Sequence, residues 1–153
     1  MPTKSRLTLS LRLSSSLCLA AAAFPACADD ITPEHLAERA REYAKSVPQL
    51  KVNILDKKAI ETEKMGLLLA VNRGSNLEPR LIELSYRGNP SSKEHIVLVG
   101  KGVTYDTGGL SLKPTEGMLT MKCDMAGAAA VISVLKAIAD APLGSRPEHE
   151  IHV

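Results

Sequence analysis

The stretch Asp124–Asp140, DMAGAAAVISVLKAIAD, constrains the fold more than any other part of this chain. It is rich in strong helix formers and apolar nearly all round. A helix of that kind is not stable on a water-facing surface, so other elements must cover most of it.

Several of those elements are legible upstream. In ITPEHLAERAREYAK, Thr32 is a good N-cap, Pro33 fits the first helical position, Glu34 favours the positive helix end and Ile31 can pack back as a staple. Leu36, Ala37, Ala40, Tyr43 and Ala44 then fall on one face, which gives an amphipathic helix suited to lie on a sheet. LKVNILD, Leu50 to Asp56, alternates apolar and polar positions like a half-buried strand, and KKAIETEKMG reads as a short polar helix stopped at Gly66. LLLAV, RLIELSY and HIVLVG read as further β-compatible runs, separated by the turn-forming RGSN and GNPSS. PEHEIHV looks like the start of one more strand. The expected class is α/β, with a mixed, mainly parallel sheet flanked by helices.

Composition supports one domain with a core, since 44% of the 153 residues are apolar. Aromatic residues make up only 3%, so that core must rest on Leu, Ile, Val, Ala and Met. A formal charge of +2, with basic residues scattered, argues against nucleic acid or an anionic membrane as partner. Cys18, Cys27 and Cys123 form neither a disulfide framework nor a thiolate zinc site, and Cys123 reads as a small packed hydrophobe.

Residues 1–28 differ from the rest: Lys4, Arg6 and Arg12, five serines, no acidic residue, the run LCLAAAAF and an ACA ending before Asp29. The apolar run is too short to span a bilayer. Residues 1–28 are therefore expected to be a leader, of secretory, organelle-transit or unrelated type, preceding a domain over 29–153.

VGKGVTYDTGGLSLKP, Val99 to Pro114, carries the chemistry. A P-loop fails, because Gly108-Gly109-Leu110-Ser111 puts Lys113 too late; a dinucleotide fingerprint fails, because Tyr105 stands where a third glycine belongs. A metal site fits better. Asp106 and Asp124 are hard oxygen donors, one of the two lysines, Lys101 or Lys113, could ligate once deprotonated, and the other, kept charged, could polarise a carbonyl. The residues alone leave a plainer reading open: Asp124 as an N-cap, Asp106 as a turn residue and both lysines solvated.

This stretch, followed by MLTMKCDMAGAAAV, resembles the leucyl aminopeptidases of the cytosol aminopeptidase family M17. The resemblance continues through DITPEHLAERA, KVNILDKKAIETEKMGLLLAVNRGS and PRLIELSYRG, and covers roughly Asp29 to Asp140. It implies the first half of that family's catalytic domain, of phosphorylase/hydrolase-like fold. It further implies two divalent ions, manganese or zinc, with Lys101, Asp106 and Asp124 as ligands and Lys113 as the catalytic lysine. Met121 matches a position lining the pocket for the substrate's first side chain, so that these five residues together face the substrate. The implied reaction is release of an N-terminal residue, leucine preferred, from peptides with a free amine, by water activated between the two ions. A cytoplasmic homo-hexamer is the implied form.

The family completes its site with an Asn-Thr-Asp-Ala-Glu-Gly-Arg segment, which these residues do not contain; NRGS at Asn72 is no substitute, and Glu148 and Glu150 lack the spacing. Residues 29–153 are accordingly expected to be the N-terminal half of the peptidase domain, truncated at the C-terminal end and inactive alone. The alternative is a non-catalytic fragment serving as an interaction or regulatory module.

Overall fold

The computed structural model describes residues 31–89, 91, 93–141, 147 and 150–153. The expected leader over 1–28 lies outside them, as do Pro90 and Ser92 of the GNPSS turn and Glu148 and His149.

The first helix, α1 (Pro33–Ser46), starts as its sequence dictates. The Thr32 side chain accepts the His35 N–H, His35 reaches back to the Thr32 backbone, and Pro33 occupies the first turn. Ile31 and Leu36 are buried in one apolar cluster with Met125 and Ala129, the staple expected from the sequence. Strand β1 (Leu50–Leu55) follows, then α2 (Lys57–Thr62), capped by the Asp56 carboxylate on the Ala59 N–H.

LLLAV is helical rather than extended: it lies in α3 (Gly66–Asn72). Lys64 adopts φ 57° between α2 and α3, so the chain reverses before Gly66, and Gly66 opens the second helix instead of ending the first. A five-residue apolar run carries no period that separates helix from strand.

Strands β2 (Leu81–Arg87), β3 (His95–Val97) and β4 (Glu150–His152) complete a four-stranded sheet in the order β1-β2-β4-β3. The sheet is mixed, as expected, but not mainly parallel among the described strands. β1 pairs with β2 and β2 with β4 antiparallel, and β3 with β4 alone is parallel. The physical reason lies in the connections: two short helices return β2 beside β1, whereas the long excursion through α5 (Ala126–Asp140) lets β4 run alongside β3.

Helix α5 covers the sheet together with α1. Ile132, Leu135 and Ala139 pack with Ala40, Leu50, Leu84, Tyr86 and Ile151 in the main core. The stretch Thr115–Asp140 is long and apolar enough by composition to cross a membrane. It is divided, however, into α4 (Thr115–Met118), a 3-10 turn (Met121–Cys123) and α5, and α5 sets its apolar face on β2 and α1. Cys123 is exposed rather than packed, because the 3-10 turn carries it away from the core.

Candidate metal centre

The loop Val99–Pro114 is held where β3 ends against the start of α5. Met125, the N-cap of α5, makes no side-chain cap. The Ala128 N–H, one of the donors that a helix start leaves without an intrahelical partner, instead donates to the Lys101 carbonyl at 2.8 Å. The approach is so close that a Cβ on Gly100 would stand 2.5 Å from the Gly127 carbonyl oxygen, and one on Gly127 would stand 2.9 Å from the Lys101 nitrogen. Two glycines, one in the loop and one in the helix, therefore fix the position of Lys101 over Asp124.

Beyond this contact the loop turns on itself. The Gly108 N–H donates to Asp106 Oδ1 at 2.7 Å, and the Lys113 N–H donates to the Thr107 carbonyl at 2.9 Å. Gly108 and Gly109 adopt φ of 96° and 74°, left-handed values that a side chain would make costly. The tight turn returns Lys113 to Asp106.

Two lysine–aspartate pairs result. Lys101 Nζ lies 2.8 Å from Asp124 Oδ2, and Lys113 Nζ lies 2.8 Å from Asp106 Oδ2. The Asp124 carboxylate raises the Lys101 pKa; Asp106 does so to a lesser extent, which puts the two pairs within electrostatic reach of each other. The Lys113 ammonium, with the Gly108 N–H second, holds the Asp106 carboxyl below its ordinary range.

Asp124 is not the N-cap of α5; it closes the 3-10 turn, its N–H donating to the Met121 carbonyl at 3.1 Å. Its Oδ2 is buried and receives no hydrogen bond in acceptable geometry, although the Lys101 ammonium is at ion-pair distance. A buried carboxylate oxygen facing a single poorly aligned cation suits a donor set that a divalent ion would complete. Lys101, Asp106, Lys113 and Asp124 thus come together at one end of the parallel strand pair. Met121 sits half-buried at the head of the 3-10 turn, joined to this group through Asp124.

The model of the cytosol aminopeptidase family, catalytic domain, matches residues 19–149. This chain belongs to that family. Among the relatives of this chain, a protein named probable cytosol aminopeptidase from Protochlamydia amoebophila is 59% identical over 110 residues, covering 72% of this chain and 22% of the relative. A protein of the same name from Chlamydia trachomatis is 56% identical over 116 residues, covering 76% of this chain and 23% of the relative. The chain therefore spans about a fifth of the length of the curated relatives it matches. Among solved structures, leucyl aminopeptidase from Trypanosoma cruzi superposes with a TM-score of 0.80 at 31% identity, covering 99% of this chain and 28% of that one. The bottromycin maturation enzyme BotP in complex with Mn superposes with a TM-score of 0.79 at 36% identity, covering 99% and 32%.

One group of candidate ligands was not singled out from the sequence. His95, Glu150 and His152 meet across the β3–β4 pair, His95 level with Glu150 and His152 level with Val97. The spacing of Glu150 and His152 was the available signal, but their partnership with His95 depends on strand register.

Proposed function

We propose that this chain supplies part of the two-metal centre of a metal-dependent aminopeptidase, one that removes N-terminal residues, leucine preferred, from peptides with a free amine. The observation that carries the reading is the convergence of Lys101, Asp106, Lys113 and Asp124 around a buried, poorly partnered carboxylate oxygen. Family membership and the manganese-bound relative support it.

In this reading Asp124, Asp106 and Lys101 hold divalent ions, manganese or zinc. Those ions would supply Lewis acidity toward the scissile carbonyl and the attacking water. Lys101 would have to be neutral to ligate, its proton passing to solvent and its pairing with Asp124 giving way. Asp106 keeps its charge, being stabilised as a carboxylate by Lys113 and the Gly108 N–H. Lys113 remains an ammonium and would donate to the carbonyl oxygen as negative charge develops there. Met121, next to Asp124, borders the space for the first side chain. A cytoplasmic homo-hexamer acting on soluble peptides, without nucleic acid or membrane, is the matching cellular form.

The remaining ligands and an arginine would come from an Asn-Thr-Asp-Ala-Glu-Gly-Arg segment, which the 153 residues do not contain. The test is hydrolysis of leucine p-nitroanilide with Mn²⁺ or Zn²⁺. The chain alone should give no turnover, whereas co-expression with a family segment bearing that motif should restore it. In the restored enzyme Lys113→Ala should lower kcat by about 10²–10³, as loss of an oxyanion donor does. Turnover by the chain alone would show that the added segment is not needed. Undiminished turnover by Lys113→Ala would remove the role given to that lysine.

A further inference from the structure

Glu150 and His152 are two residues apart on β4, so their side chains stand on the same face of the sheet. In the parallel ladder His95 of β3 lies directly beside Glu150, and Val97 beside His152. This register gathers two imidazoles and one carboxylate on one patch along the parallel pair. The cluster shares no residue with the lysine–aspartate group.

The spacing within the patch is tight. His95 Nδ1 and His152 Nε2 lie 3.1 Å apart, and Glu150 places Oε2 at 3.6 Å from His95 and Oε1 at 3.6 Å from His152. Tetrahedral ligands at the usual zinc–nitrogen and zinc–oxygen lengths stand about 3.3 Å from one another; the two ring nitrogens already have that spacing, and one donor atom from each of the three residues lies within 4.8 Å of the others. The imidazole rings are tilted by 31° with centroids 5.3 Å apart, an edge-on meeting rather than a stack. Glu150 is the least exposed of the three at 17%, while His95 and His152 are 51% and 37% exposed, which leaves open positions for water. Arg87 approaches Glu150 Oε2 at 3.9 Å and partly neutralises it, but Oε1 faces His152. Two imidazoles and a carboxylate are a ligand set for first-row transition ions such as Zn²⁺ rather than for Mg²⁺ or Ca²⁺.

We propose that His95, Glu150 and His152 form a Zn²⁺-class binding site, separate from the lysine–aspartate centre, that clips β4 to β3. Because the donors come from both strands, a bound ion links the last described strand to the one that leads into the Val99–Pro114 loop. It stabilises the folded state by RT ln(1 + c/Kd), where c is the free Zn²⁺ concentration, so Tm rises with free Zn²⁺.

The test is calorimetric titration of the full 153-residue chain with Zn²⁺, after chelator treatment, using Asp106→Asn/Asp124→Asn to remove carboxylate ligation at the other centre. A one-to-one binding event is expected to persist in that double variant. Adding His95→Gln or His152→Gln to it should weaken the event by at least about tenfold and abolish the Zn²⁺-dependent rise in Tm. Should these variants fail to fold, ¹⁵N imidazole spectra of the unmutated chain decide. The His95 and His152 ring nitrogens should shift on Zn²⁺ addition, while His35, engaged with Thr32, should not. Absence of the event from the double variant, or Zn²⁺ binding that leaves the His95 and His152 nitrogens unshifted, overturns the proposal.

Discussion

Gly100 is the residue on which the geometry of the lysine–aspartate group turns. A methyl group there would meet the Gly127 carbonyl at 2.5 Å, Val131 Cγ2 at 2.6 Å and the Ala128 Cα at 2.7 Å, and two of these are backbone atoms that cannot rotate away. Gly100→Ala must therefore push the loop off α5, straining the Ala128–Lys101 hydrogen bond and separating Lys101 from Asp124. The expected cost is about 1–3 kcal/mol in urea unfolding, the range of an overpacked core, although the change adds only one carbon. Glu34 offers a pH test. Hydrogen bonds from Arg80 and then Arg41 hold its carboxyl below the ordinary 4.5, so its folded-state pKa is depressed. The stabilisation is thus present above pH 4.5 and is lost as pH falls through the folded value. The pair is partly exposed and screened, so Glu34→Gln should cost only about 0.5 kcal/mol at pH 7, and the difference from the unmutated chain should vanish in acid. Urea unfolding of both proteins over a series of falling pH from 7 checks this. Residue by residue, the loop motif was legible because its charges and glycines are contiguous. The partner of each lysine was not, since Lys101–Asp124 and Lys113–Asp106 depend on where α5 begins and how the loop closes.

Among the elements, α5 shows most directly how packing and polarity trade off. Ile132 and Leu135 are buried in the main core, yet Ser133 between them is also fully buried, and its hydroxyl has no hydrogen-bond partner among the described residues. An unpaired buried hydroxyl costs stability, so Ser133→Ala should raise the unfolding free energy, by about 1 kcal/mol, where Leu135→Ala should lower it by about 2–5 kcal/mol. The opposite signs at neighbouring positions, read in one denaturation series, test the packing directly. Helix α1, with Thr32, Pro33 and a clean apolar face, and strand β1, with its alternation, could be read from local chemistry alone. LLLAV could not, because five apolar residues fit either period, and because it was the turn at Lys64, not Gly66 itself, that set the boundary. The N-cap of α5 was equally hidden: Asp124 has the right chemistry for a cap, but the 3-10 turn before the helix leaves it one residue too early and aims its carboxylate at Lys101.

At the scale of the whole molecule, the sequence conveyed the α/β layering but not the pairing directions, which follow from how each connection crosses the sheet. The apolar surface that this arrangement leaves exposed has a consequence of its own. Val99, Leu110, Leu112 and Leu119, all in or just after the loop that follows β3, are exposed beside the lysine–aspartate group, with Leu110 fully so. Large aliphatic side chains exposed on a water-facing surface favour association with other protein surfaces or with copies of the same chain. None of them belongs to either buried cluster, so replacing them removes apolar surface without removing core contacts. The double change Val99→Ser/Leu110→Ser should therefore leave stability within about 0.5 kcal/mol of the unmutated chain. It should also lower self-association in sedimentation velocity, together with binding of an apolar dye. Unchanged association would mean that these side chains do not drive it. A large loss of stability would mean that they are covered in solution by part of the same chain, and the second result would shift attention from the loop's exposure to what packs on it.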